Sequence, residues 1–185
     1  MLNKVSPSLI VLWFAALSLS ACSSFAPQSD WRQSPVKYME GTWTEQLSVE
    51  GLTRRGTYLA TNDATQFVWD SKWNSVTFYS SCSFGDTSIV TTERYVVNLR
   101  ENDPQHLDFY FIPSGGPTIP VRRLPLTHSP DASGFRGSGE AVEGDMRIPV
   151  DVSIEFAKDK PGHVWTIGYK PTSQRPLVFT FRFSR

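Results

Sequence analysis

The chain has 185 residues, with 18 Lys and Arg against 18 Asp and Glu. Such a balance creates no field that would steer a polyanion, and no basic stripe interleaved with aromatics is present, which argues against nucleic acid as a partner. Arg122-Arg123 is too short a cluster to change that.

The first segment reads MLNKVSPSLIVLWFAALSLSAC. One cation, Lys4, precedes an apolar run from Leu9 to Leu19 that only Ser18 interrupts. The run is about half the roughly 20 residues a bilayer-crossing helix needs. A positive start, a short apolar segment and small residues before a cut form the layout of a secretory signal. Leu19-Ser20-Ala21-Cys22 resembles the bacterial lipobox, Leu-x-Ala/Gly-Cys. The resemblance implies cleavage between Ala21 and Cys22, a diacylglycerol thioether on the Cys22 sulfur, and acylation of the new amino group. Three acyl chains bury many methylenes at about 0.8 kcal/mol each, so the anchor would be permanent. In Gram-negative lipoproteins an aspartate at the next position retains the protein at the inner membrane. Ser23 stands there, so the resemblance implies export to the outer membrane.

Removal of residues 1–21 from the 185 leaves 164, enough for one domain with a substantial core. Residues 22–36 carry the lipidated Cys22 and a Ser-, Pro- and Gln-rich tether; residues 37–185 are expected to form a single all-β domain. Trp31 docks on that domain or on the membrane surface; the sequence leaves both open.

From about residue 40 the apolar pattern has period two. Strands are expected over roughly 41–50, 54–61, 65–70, 75–84, 88–100, 106–112, 118–126, 135–142 and 163–170, with 146–156 and the last segment the clearest. Met146, Ile148, Val150, Val152, Ile154 and Phe156 share one face, and Arg147, Asp151, Ser153 and Glu155 the other. Pro149 cannot donate to a ladder, which suggests an edge or a bulge. Leu177, Phe179, Phe181 and Phe183 alternate in the same way. Thr61-Asn62-Asp63, Gly85-Asp86, Asn102-Asp103-Pro104, Gly144-Asp145 and Lys160-Pro161-Gly162 read as turns. Short successive links favour an antiparallel up-and-down barrel, whose closure removes exposed edges; a β-sandwich is the alternative.

YMEGTWTEQL, residues 38–47, resembles the Gly-x-Trp opening of the calycin barrels, the lipocalins and avidins, through Gly41-Thr42-Trp43. Gly56-Thr57-Tyr58 is similar to an avidin second strand. The resemblance implies a barrel with Trp43 packed across one end. The later lipocalin arginine over that tryptophan has no evident counterpart. Aromatics form 13% of the chain, and in a barrel they either fill the interior or line a ligand pocket.

Glu45 shares the parity of Trp43, Leu47 and Val49, and Glu93 that of Tyr95, Val97 and Leu99. A carboxylate on an apolar face is costly unless paired. Trp43, Glu45, Tyr58, Glu93 and Tyr95 are therefore the candidate barrel pocket or rim, with Arg54 or Arg94 as possible partners of the acids. His106, His128 and His163 each stand beside a turn, without a second histidine at ligand spacing; they are expected at the surface, and no metal site is expected. Cys82 is expected to be a buried, inert thiol. GFRGSGEA reads as a flexible hairpin, loosely similar to the Ser-Gly-Ser-Gly loop of periplasmic lysozyme inhibitors, from which it departs at Glu140 and Ala141. No nucleophile elbow or phosphate loop is present.

The sequence thus points to a non-enzymatic, outer-membrane-anchored periplasmic lipoprotein without a cofactor besides its lipid. The first expectation is an accessory or structural component of an envelope assembly with a protein partner. The alternatives are a carrier or binder of a small apolar or amphipathic ligand inside the barrel, and a lysozyme-inhibitor-like protein.

Overall fold

The computed structural model describes residues 30–185 except 54–55, 84–89, 115–117, 131–132 and 173–174, with side chains outside 52–57 and 82–91. The expected signal segment and lipobox, with Ala21, Cys22 and Ser23, therefore lie outside the described residues, as does the Cys82 side chain.

Ten antiparallel strands follow one another around a closed barrel: β1 (Gly41–Thr53), β2 (Gly56–Asp70), β3 (Ser75–Ser83), β4 (Val90–Leu99), β5 (His106–Ile112), β6 (Val121–Ser129), β7 (Gly134–Glu143), β8 (Met146–Phe156), β9 (Gly162–Tyr169) and β10 (Leu177–Ser184). β1 closes the wall by pairing with both β2 and β10. The fold is the up-and-down barrel that the alternation implies. Its apolar parity points inward, and the exposed set of β8, Arg147 with the half-exposed Asp151 and Glu155, points outward.

Three features depart from the sequence reading of the wall. Residues 54–61 and 65–70 belong to one strand, and Thr61-Asn62-Asp63 is not a turn between two. Glu45 pairs with Asn62 while Trp43 pairs with Thr65, so β2 carries one extra residue and absorbs the break as a bulge. The Asn62 side chain accepts from the Ala64 amide there. GFRGSGEA is not a hairpin either: it is most of β7, in unbroken register with β8. Its glycines serve packing. A Cβ on Gly137 would stand 2.2 Å from the Pro125 carbonyl oxygen of β6. Pro149 needs no edge. It lies where β8 outruns β9, and its carbonyl accepts from Lys170, just beyond the last β9 residue.

A five-residue helix, α1 (Pro35–Met39), precedes β1. Ser34 caps it and Pro35 opens it, but five residues form no stable helix alone. Burial of Val36, Tyr38 and Met39 holds it against the ends of β2, β3 and β4. Trp31 docks on the domain, stacked on Phe156 at 4.7 Å. Among the described residues no helix is long and apolar enough to cross a membrane.

Trp43 ties this end together. Its indole Nε1 donates to the Met39 carbonyl at 2.7 Å, and the Arg185 guanidinium lies 3.8 Å over its ring. Arg185 also donates to the Glu40 and Thr42 carbonyls. Gly41 has φ +107°, and a Cβ there would meet Arg185 at 2.8 Å. The glycine thus makes the turn from α1 into β1 and leaves room for the arginine. The arginine over the tryptophan, which the sequence did not reveal, comes from just beyond β10.

The waist of the barrel is filled by rings. Phe67, Phe78, Tyr95 and Phe111 are cross-strand neighbours on β2 to β5 and stack at 4.4, 4.7 and 4.9 Å. Trp165 and Phe181 meet that row edge-on from the opposite wall, each at 5.0 Å. Both arrangements suit the ring quadrupole. Trp43→Ala is expected to cost about 3–5 kcal/mol. Trp43→Phe, which strands the Met39 carbonyl, is expected to cost about 1–3 kcal/mol. Urea unfolding of both variants checks this, and equal, near-zero costs would refute the role given to Trp43.

Candidate functional site

One inward step beyond the aromatic row, away from α1, the wall turns polar. Glu45 on β1, Thr65 on β2, Ser80 on β3 and Glu93 on β4 form an arc along four adjacent strands. Each is buried, Glu45 to 2% and Glu93 to 1% exposure. The two acids face inward because strand alternation puts them in phase with Trp43 and Tyr95. Thr65 joins them because the β2 bulge shifts its register by one residue.

Both oxygens of Glu45 accept hydroxyl hydrogen bonds: Thr65 donates to Oε2 at 2.5 Å and Ser80 to Oε1 at 2.6 Å. The Tyr95 hydroxyl donates to Glu93 Oε2 at 2.5 Å. Ser80 and Glu93 are direct cross-strand partners, so Ser80 joins the two halves of the arc. Thr118, 5% exposed, faces Glu93 without closing a hydrogen bond. Tyr169, on the far wall, donates to the Ile119 carbonyl at 3.2 Å and lies within the field of Glu93.

No cation among the described residues reaches either acid. Arg94, an expected partner, belongs to the outward parity of β4 and is exposed, because it is the immediate neighbour of inward Glu93. Arg54 lies outside the described residues. Hydroxyls therefore take the place expected of an arginine. Burial pushes both carboxyls above their ordinary range, and the hydroxyl hydrogen bonds oppose that only in part. Burial and the Glu93 charge together push the Tyr169 phenol up as well.

The candidate residues are thus gathered, but not into one contact set. Glu45, Glu93 and Tyr95 share the arc. Trp43 belongs to the α1 end. Tyr58, half-buried on the inner face of β2, stands nearer the opposite rim. Ile148 and Leu177 are also inward and half-exposed there. Sequence reasoning missed Thr65, Ser80, Thr118 and Tyr169. Ser80 and Tyr169 do share the inward parity of their strands, but only the closed wall sets them beside the acids.

His163 corrects the surface expectation. It is the second residue of β9, 1% exposed, and packs against Trp43, Phe67 and Phe183 at 4.6, 5.1 and 4.7 Å. It shares the inward parity of Trp165, Ile167 and Tyr169, so standing beside a turn does not bring it to the surface. Nδ1 accepts from Trp165 Nε1 at 2.9 Å, which leaves the proton of the neutral ring on Nε2. His106 and His128 are half-exposed; His106 pairs with Asp103 at 2.8 Å. Among the described residues no group of three or more His, Cys, Asp or Glu could hold a metal ion.

No protein-family model matches the chain, and no curated protein matches it.

The buried groups set opposite pH responses. Burial, and then the Arg185 charge, hold the His163 imidazole well below its ordinary 6.5. Below that value the unfolded chain binds a proton that the folded chain refuses, so stability falls as pH drops, by up to about 1.4 kcal/mol per unit. Glu45 and Glu93 act in reverse. Their folded carboxyls hold protons that the unfolded chain releases above about 4.5, so they favour folding as pH falls. His163→Phe, which suits the ring cage, is expected to lose less stability than wild type between pH 7.5 and 5.0. Glu93→Gln is expected to stabilise the fold more at pH 8 than at pH 5. Urea unfolding at these pH values checks both, and parallel pH profiles for variant and wild type would refute them.

Proposed function

We propose that this chain is a lipid-anchored protein of the bacterial outer membrane, periplasmic and non-enzymatic, whose barrel binds a small amphipathic ligand. The observation that carries the binding reading is the polar arc: two buried carboxylates inside a mainly apolar barrel, with no cation beside them among the described residues. A barrel that only needed filling would gain nothing from them. Replacing buried polar groups with apolar ones of similar volume is often neutral or stabilising. The half-exposed inner-face residues Tyr58, Ile148 and Leu177 supply an apolar rim at the same end. The anchor rests on Leu19-Ser20-Ala21-Cys22 and the apolar segment before it.

A second reading, the accessory component of an envelope assembly, is favoured by the outer wall. Trp73 is 61% exposed beside a groove of about 290 Å³ lined with Arg94, Val96, Tyr110 and Ile112. Exposed aromatic and aliphatic side chains around a shallow groove suit a protein partner.

Two measurements separate these readings. Native mass spectrometry of residues 23–185, which contain every described strand and α1, is expected to show an added mass of a few hundred daltons that denaturation removes. A bare polypeptide mass that stays unchanged after incubation with envelope lipid extract would sink the binding reading and favour the accessory one. In cells, labelled palmitate is expected on the full chain and absent from Cys22→Ser; equal labelling would refute the anchor.

A further inference from the structure

The outer wall differs from one side of the barrel to the other. On β2 to β5 the cross-strand rows Val68–Thr77–Val96–Tyr110 and Tyr79–Arg94–Ile112 lie side by side. Trp73, in the turn between β2 and β3, lines the same groove as Val96, Tyr110 and Ile112. Val68, Trp73 and Tyr79 are more than half exposed. Lys72 stands over the Trp73 ring at 5.2 Å, and Asp70 accepts from the Lys72 amide. On β8 to β10 the facing row is Ser153, Thr166 and Thr180, flanked by the ion pairs Arg136–Glu155 and Lys170–Asp151. Leu59 and Met146 are exposed singly toward the opposite rim and need no partner.

Size limits what the apolar band can hold. A standard protein interface takes about 20–30 residues a side, and the apolar side chains of the band, Val68, Trp73, Tyr79, Val96, Tyr110 and Ile112, fall well short of that. A lipid surface asks for less. Tryptophan and tyrosine settle at the headgroup level, ring covered and polar tip wet. Long cations such as Lys72 and Arg94 bury their stems there and leave their charge in water.

The reading of Cys22 as a lipid anchor, on which this inference rests, supplies the other condition. Residues 23–29 separate Cys22 from Asp30, and fully extended this stretch spans at most about 28 Å. Asp30 leads into Trp31, which stacks on Phe156 at the end of β8, across the barrel from β3. Ten strands about 4.8 Å apart, tilted in the wall, close a ring roughly 20 Å across, which the tether can cross. The turn that carries Trp73 stands at the same end as α1, whose Lys37 lies 3.7 Å over the Trp69 ring. An anchored chain therefore presents the band to the bilayer at high effective concentration, and a contact too weak to bind alone is enough to orient the barrel.

We propose that the outer wall of β2 to β5 lies on the bilayer that holds the anchor, with Trp73 and Tyr79 seated among the lipid headgroups.

The test uses the full chain, purified from the membranes of a Gram-negative expression host and reconstituted into vesicles of phosphatidylethanolamine and phosphatidylglycerol at three to one. On a Cys82→Ala background a nitroxide is placed at Val68→Cys or Ile112→Cys in the band, and at Ser153→Cys or Thr166→Cys on the hydroxyl wall. Access of oxygen relative to a water-soluble nickel chelate is expected to be at least threefold higher in the band. The same labels in residues 23–185 without vesicles are expected to show no such contrast. Trp73→Ser combined with Tyr79→Ser is expected to remove the contrast while the chain still floats with the vesicles, because the lipid holds it. Near-ultraviolet circular dichroism verifies that each variant is folded. A second measurement leaves Cys82 in place: the emission that Trp73→Phe removes is expected to be quenched at least twofold by brominated lipid. Equal access at both walls of the vesicle-bound chain, or no quenching of that emission, would overturn the proposal and leave the anchor standing. Band labels shielded in native envelope membranes but not in protein-free vesicles would overturn it in favour of a protein partner. Failure of the full chain to float would overturn both the proposal and the anchor.

Discussion

Closure of the barrel depends on what happens around one indole. Trp43 receives the Arg185 guanidinium on its face and donates its N–H to Met39. The first strand, the segment after the last strand and the helix that covers the end are thereby joined at one ring. Gly41 is the backbone condition for this, because only a residue tolerant of positive φ and without a Cβ leaves space for the arginine. The ring contacts of His163 and Phe67 with Trp43 carry the same constraint into β9 and β2. Such interactions span most of the chain, so they form only once the strands have been laid side by side.

That clamp divides the interior into two unlike halves. Toward α1, rings at stacking and edge-on distances fill the space, and even the one histidine there is held neutral. Away from α1, a single inward step replaces the rings with Glu45, Thr65, Ser80 and Glu93. The change costs desolvation, which the raised carboxyl pKa values record. Hydroxyl donors reduce that cost without removing it. An interior designed only for stability would not contain it, and this is the physical ground for reading the arc as a site.

Much of this was legible residue by residue. Alternation identified the strands and which side of each would be buried. It singled out Glu45 and Glu93 as acids on the wrong face, and both do point inward. The departures come from features that alternation does not register. One extra residue at Asn62–Ala64 reads locally as a turn, yet the neighbouring strands are long enough to absorb it as a bulge. The glycines of β7 read as flexibility, but they stand where neighbours press close: the β8 backbone at Gly134, the β6 backbone at Gly137 and the Leu124 side chain at Gly139. His163 follows turn residues and reads as a surface residue, but it shares the parity of Trp165 and Ile167, and the rings packed at that end of the barrel bury it.

Local properties are therefore what the sequence determined by itself: strand identity, face parity, the position of the odd acids, and the expectation of a signal and lipobox written in consecutive residues. Each depends on neighbours a few positions away, so each can be read from a line of text. Tertiary structure decided the partners. That Glu45 meets Thr65 and Ser80, 20 and 35 residues on, follows from register, and that Arg185 meets the carbonyl of Thr42, 143 residues before it, follows from closure. Register and closure are properties of the whole sheet, set by how ten inward faces pack into one interior, and no single stretch of the chain contains them.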